Sequence, residues 1–190
     1  NAQSDERLRD IIVERNWFVG GNTTQVALVV NAVDETIRNN LCIESNGRFV
    51  QVSYRSGGAT GLEPPPLNVS VYNNTIYSSS TTSGDLLGVD VRAPSTNTAV
   101  YNNLVTAPLA PDAVLVSNAG IGTTQGNNLV SDSPAALFDS ATPTVPTDFR
   151  PIATSPARDA GLSTIPVWSD LFGTSRPQNG TTDIGAIEGL

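Results

Sequence analysis

Asp90 and Arg92 stand two residues apart in Gly88-Val89-Asp90-Val91-Arg92, a run that alternates apolar and polar residues. Alternation places both on the outward face of one strand. There a guanidinium can bind an acidic ligand or take a proton from it, while the carboxylate holds a cation. Arginine is a poor base, because its pKa lies above about 12. The plainer reading is a solvated i, i+2 charge pair worth about 0.2–1 kcal/mol. Tyr72 and Tyr101 occupy equivalent places in Val71-Tyr72-Asn73-Asn74 and Val100-Tyr101-Asn102-Asn103. On neighbouring strands they come about 4.8 Å apart, and with Arg38 they make a platform for sugar rings. The alternative is an aromatic pair that only stiffens the sheet. Gln51 and Arg55 complete the candidate substrate-binding set. The chain contains no His, and its 10 basic residues are all Arg. A His-based triad and a Lys base are therefore excluded, and a single Cys leaves no structural zinc site.

The net charge of −8 argues against nucleic acid and anionic membranes as partners. It also disfavours a polyanion unless the arginines cluster. No apolar run reaches the 18 or so residues of a membrane span. Cys42 cannot form an internal disulfide and reads as a small buried hydrophobe. Charged residues make up only 15% of the chain, while Asn, Thr, Ser and Gly abound. That is the profile of a rigid, turn-rich, secreted or cell-surface β protein. Met is absent even at position 1, and the repeats begin abruptly at Ile11, which reads as a processed form or a fragment.

The elements that position these groups repeat. Arg15-Asn16, Asn39-Asn40, Asn73-Asn74, Asn102-Asn103 and Asn127-Asn128 each follow a short strand-like run and lead into an apolar pair. Taken at the second Asn, the steps are 24, 34, 29 and 25 residues. A period of about 20–50 residues marks a solenoid. Val13, Ile37, Val71 and Val100 form an inward column, with Glu14, Arg38, Tyr72 and Tyr101 outward. Continuing the alternation puts Arg15, Asn39, Asn73, Asn102 and Asn127 inward, where stacked Asn side chains can hydrogen-bond along the stack. Asn also tolerates the left-handed conformation of a sharp bend.

A second strand type alternates as well. It puts Leu28/Val30, Val50/Val52, Val89/Val91 and Val114/Val116 inside, and Val29, Gln51, Asp90 and Leu115 outside, with Asn31, Ser53, Arg92 and Ser117 in the next outward column. Ser56–Pro66 and Ser78–Asp85 read as loop insertions that lengthen two of the steps. The predicted division is residues 1–132 as coils and 133–190 as an irregular C-terminal segment that covers the open end of the stack.

These strand-Asn-Asn-apolar coils resemble right-handed parallel β-helix proteins, a group that includes many secreted polysaccharide lyases. The tail carries Asp148-Phe149-Arg150-Pro151, Ser155-Pro156-Ala157-x-Asp159-Ala160-Gly161, Asp170-x-x-Gly173, Arg176-Pro177 and Asp183-Ile184-Gly185-Ala186-x-Glu188. It looks like the C-terminal end of many bacterial secreted β-helix proteins, some of them alginate- or pectate-lyase-like. Arg158 departs from the aliphatic residue usual there. The resemblance implies an all-β, right-handed, single-stranded β-solenoid of about five coils, with polysaccharide bound along one sheet. If there is catalysis, Arg92 with Asp90 carries it. The alternative is a non-catalytic adhesin or filament subunit that self-associates or meets upstream coils at an open N-terminal end. Asp170, Asp183 and Glu188 are candidates for a Ca²⁺ site, against the alternative of an ion-pair clamp.

Overall fold

A computed structural model describes residues 9–20, 26–30, 32–44, 47–54, 65–79, 86–110 and 113–189, with the backbone alone at 26–30. The chain runs through β1 (Ile12–Glu14), β2 (Trp17–Val19), β3 (Val26–Val30), β4 (Thr36–Arg38) and β5 (Leu41–Ile43). There follow β6 (Arg48–Val52), β7 (Ser70–Tyr72), β8 (Thr75–Tyr77), β9 (Leu87–Val91) and β10 (Ala99–Tyr101). Last come β11 (Leu104–Thr106), β12 (Val114–Asn118), β13 (Thr124–Gly126), β14 (Leu129–Ser131) and the short helix α1 (Pro134–Leu137).

Each strand pairs in parallel with the strand three places further along the chain, giving sheets β1-β4-β7-β10-β13, β2-β5-β8-β11-β14 and β3-β6-β9-β12. The protein is a parallel β-solenoid. Val13, Ile37, Val71 and Val100 stand in register in the first sheet, and Phe18, Cys42, Ile76 and Val105 in the second. With Val50, Val52, Val89 and Val91 of the third they form one interior core. Cys42 is buried within it.

The Asn bends divide their labour in a way that alternation alone misassigns. Arg15, Asn39, Asn73, Asn102 and Asn127 have φ between 48° and 57°, and their side chains point away from the core. A residue in the left-handed region resets the phase of a strand, so parity cannot be counted through it. The interior ladder is built instead by the second residue of each pair. Nδ2 of Asn16, Asn40, Asn74 and Asn103 donates to Oδ1 of Asn40, Asn74, Asn103 and Asn128 at 3.0, 3.0, 2.9 and 3.2 Å. Each acceptor oxygen also takes the backbone N–H of the Asn one coil before it. The same amides donate to Val13, Ile37, Val71 and Val100 carbonyls, which the bend strips of ladder partners.

A second left-handed column, Asp10, Asp34, Asn68, Asn97 and Gly122, turns the chain into the first sheet, with φ between 55° and 66°. Asn68 donates to Asp34 at 2.9 Å and Asn97 to Asn68 at 3.3 Å. Its steps match those of the Asn pairs, a repeat the sequence carries in plain view.

The third sheet also departs from simple alternation. Phe49 and the adjacent Val50 are both fully buried, as are Gly88 with Val89. The strand thus turns two consecutive residues inward, and the register shifts. Val116 pairs with Val89 and Asn118 with Val91, while Ser117 lies beside Asp90. Leu115, expected outside, is only 6% exposed and packs in the core; Val114, expected inside, is 43% exposed. Ser53, expected outside, is buried. Asn31, Arg55 and most of both predicted insertions lie outside the described residues.

Residues 133–189 run along the flank of the stack, over the outer face of the second sheet. Leu41, Ile43, Tyr77 and Leu104 on that face pack against Leu137, Phe138, Phe149, Ala157, Ile184 and Ile187. Phe149 meets Tyr77 and Phe138 edge-on, with centroids 5.6 and 5.1 Å apart. The open end is not where the tail goes: in the last coil Val130 stays 47% and Ile121 63% exposed. The reason is the outward amides of the first Asn column, which hand the tail a row of hydrogen-bonding groups.

Candidate functional site

Apart from Arg55 and the tail acids, the groups named from sequence fall on one of two faces. Glu14, Arg38, Tyr72 and Tyr101 are consecutive partners along the outer face of the first sheet, with Gly126 next. The tyrosine centroids lie 6.4 Å apart with the rings inclined at 53°, so the pair is tilted. Gly126 explains the lean: a Cβ there would sit 3.0 Å from Cε1 of Tyr101, so the missing side chain gives that ring room. Both tyrosines are half-buried, and the parallel column Thr36, Ser70 and Ala99 beside them is small. The result is a shallow aromatic strip with a low rim.

Arg38 is fixed by both neighbours. Its Nε donates to Glu14 Oε2 at 2.7 Å and its Nη1 to the Pro166 carbonyl at 3.0 Å. Two of the five guanidinium N–H donors are thereby committed, leaving the others for a ligand. Asn39, the next residue, donates to the Ser169 carbonyl at 2.6 Å, and Arg15 Nη2 donates to Ser169 Oγ. Trp168 lies in the segment these contacts hold and is 76% exposed. Sequence reasoning passed over it, although a lone Trp between Pro166 and Asp170 in an irregular tail is a signal of its own.

Asp90, Arg92 and Gln51 lie on the third sheet, apart from the tyrosines. The single oxygen Oδ2 of Asp90 receives Nε of Arg92 at 2.8 Å and lies 3.0 Å from Nε of Arg48. Gln51, with its amide oxygen turned to Arg92, accepts from that guanidinium at 3.0 Å. Asp90 is buried and committed to two cations, so it is neither a spare base nor a ligand waiting for a metal ion. Arg55 is outside the described residues. The candidate set from sequence therefore does not converge on one site.

The tail acids serve as a clamp. Asp170 Oδ1 accepts from the backbone N–H of Phe172 and Thr174 at 2.9 and 2.7 Å, and its Oδ2 from that of Glu188 at 3.0 Å. Asp183 accepts from Asp159 N and Gly189 N. Glu188 accepts from Gln178 N and Asp183 N and pairs with Arg176 at 3.0 Å, both side chains being almost fully buried. Arg176 Nη1 and Nη2 donate to the Asp183 and Gly185 carbonyls. Burial pushes the Asp183 and Glu188 carboxyls up and holds the Arg176 guanidinium below its usual value, against the attraction of Glu188, Asp170 and Asp183. Donors, rather than open space, face these oxygens, so the residues do not fit a Ca²⁺ site; among the described residues no cluster suits a metal ion.

The Asp183–Glu188 run is explained by the same contacts. Gly185 has φ 99° and donates its N–H to the Asn102 carbonyl. A Cβ there would lie 2.6 Å from Thr75 Oγ1, the atom that accepts the Ala186 N–H. Only glycine fits, and the motif is a lock of tail on stack.

No protein-family model matches the chain, and no curated protein matches it.

Proposed function

We propose that this is a secreted or cell-surface, polysaccharide-lyase-like β-helix protein that binds an extended acidic glycan along the outer face of its first sheet. In this reading the helix is right-handed, as parallel strand crossovers are in nearly all cases, and has about five coils. The observation that carries the proposal is the register of Tyr72 and Tyr101, two half-exposed rings 6.4 Å apart on successive coils. Aromatic rings present an apolar body to sugar C–H faces and a polar hydroxyl tip. Arg38 offers guanidinium donors suited to a carboxylate, and the exposed Trp168 lies in the tail segment that Arg38 and Asn39 hold. Asp90, on the third sheet and paired with two arginines, takes no part in this binding face.

Affinity electrophoresis through alginate, pectate and a neutral glucan tests this, with absorbance of unsaturated products followed in parallel. Retardation by the acidic gels that is lost in Tyr72→Ala and Tyr101→Ala supports the reading; equal mobility in every gel sinks it.

A second reading, a structural surface protein, draws on the exposed Val130 and Ile121 at the last coil. Stacking of copies through that end accounts for apolar columns left uncovered. Light scattering over a concentration series distinguishes the two.

A further inference from the structure

A cleft of about 190 Å³ opens in the tail, away from the tyrosine strip, and its lining is amphipathic. Phe172, Ile187 and Pro151 give it apolar surface; Asp139, Arg150 and Thr174 give it hydrogen-bonding groups. Asp139 and Arg150 are set side by side by the antiparallel bridge of Phe138 with Pro151, in which Asp139 N donates to the Arg150 carbonyl at 3.1 Å. Yet their side chains form no ion pair. The Arg150 guanidinium instead lies 5.5 Å from the centroid of Phe172, a ring whose residue remains 45% exposed. Two opposite charges facing each other across one rung, both lining one cleft and neither satisfied by the other, are an arrangement that a polar ligand completes.

The volume decides the ligand's size. At roughly 30 Å³ per water it holds about six waters, well below the roughly 300–1,000 Å³ of pockets for drug-sized molecules. That is room for a single ring. The floor is closed by Asp170 and Glu188, whose oxygens are already taken by backbone N–H groups and Arg176. Their charge, added to that of Asp139, disfavours an anion. A neutral ring with an apolar face and a hydroxyl edge suits the lining best. Its C–H face lies on Phe172, its hydroxyls donate to Asp139, and Arg150 and Thr174 donate back.

We infer that the cleft between Asp139, Arg150 and Phe172 is a second binding site, for one neutral pyranose ring. It is independent of the glycan strip on the first sheet. Saturation-transfer NMR on the intact chain tests it, using glucose, galactose, mannose, sodium glucuronate and alanine as probes. Transfer to a neutral pyranose is expected, weakened about tenfold in Phe172→Ala and in Asp139→Asn and unchanged in Tyr72→Ala. Both substituted residues are exposed, so either variant keeps the fold and backs up the other. The inference is overturned by no transfer to any neutral pyranose, by transfer only to glucuronate or alanine, by transfer that survives both cleft variants, or by transfer that Tyr72→Ala abolishes.

Discussion

Asn102 and Leu162 exchange two hydrogen bonds across sixty positions of sequence: Leu162 N donates to Asn102 Oδ1 at 2.8 Å, and Asn102 Nδ2 donates to the Leu162 carbonyl at 3.1 Å. Asn39, Asn73 and Asn127 make the same kind of outward contact, to the carbonyls of Ser169, Asp183 and Ala160. One residue of each Asn pair thus holds the stack to itself and the other holds the tail to the stack.

Substitutions at the two columns therefore separate. Asn74 serves the Ile37 and Tyr72 carbonyls and the Asn40 N–H from within the core. Stranding such groups costs about 1–3 kcal/mol each, so Asn74→Ala is expected to lower unfolding free energy by about 3 kcal/mol or more in urea titrations. Asn102→Gly keeps the left-handed backbone and loses the Leu162 pair together with the longer 3.4 Å bond to Asn73 Oδ1, about 1–2 kcal/mol. Asn102→Ala adds roughly 1–2 kcal/mol of backbone strain. Equal losses at Asn74→Ala and Asn102→Gly contradict the division.

The buried Arg176–Glu188 pair predicts a large effect from one truncation. Arg176→Met leaves Glu188 charged and unpaired in the tail, a cost of about 3–5 kcal/mol. Hydrogen exchange should show amides of residues 170–189 losing protection ahead of those in β5, β8 and β11. Uniform loss across tail and stack would count against a lock that is local to the tail.

Stability should fall as pH rises. Burial raises the carboxyls of Glu35, Asp183 and Glu188 above their unfolded values. Such groups bind protons more tightly when folded, so their stability is fully present below the unfolded pKa near 4 and is lost as pH rises through the folded value. Asp148 runs the other way: backbone N–H groups of Thr144 and Val145 lower it, and its contribution is lost as pH falls through its folded value. Thermal midpoints are expected to be higher at about pH 5 than at about pH 8. Glu35, buried without a hydrogen-bond donor among the described residues, gives the check: Glu35→Gln should flatten part of that slope. A midpoint that climbs steadily from pH 5 to pH 8 refutes the assignment.

Much of the scaffold can be read from residue order. The Asn pairs carry the period, and Ile37, Val71 and Val100 carry the inward parity, because a short strand between fixed bends leaves alternation nowhere to drift. Errors arise where the backbone leaves β geometry. Left-handed residues swapped the two Asn columns, and the double inward turn at Phe49-Val50 moved Leu115 inside. The site was legible only in part. Tyr72, Tyr101 and Arg38 follow from the repeat, whereas Trp168 and the cleft at Phe172 depend on how an irregular tail folds back, which no period encodes. Asp90 and Arg92 were paired correctly with each other, but Arg48, which completes the cluster, carries no mark in the sequence.

The claim that matters most is that the tyrosine strip binds glycan. Isothermal titration of an acidic oligosaccharide series against the intact chain tests it directly, comparing the native sequence with Tyr72→Ala/Tyr101→Ala. Affinity that grows with oligosaccharide length and drops about tenfold or more in the double variant, with its melting temperature largely kept, is the predicted result. Binding that is absent, or that the double variant leaves intact, contradicts the account.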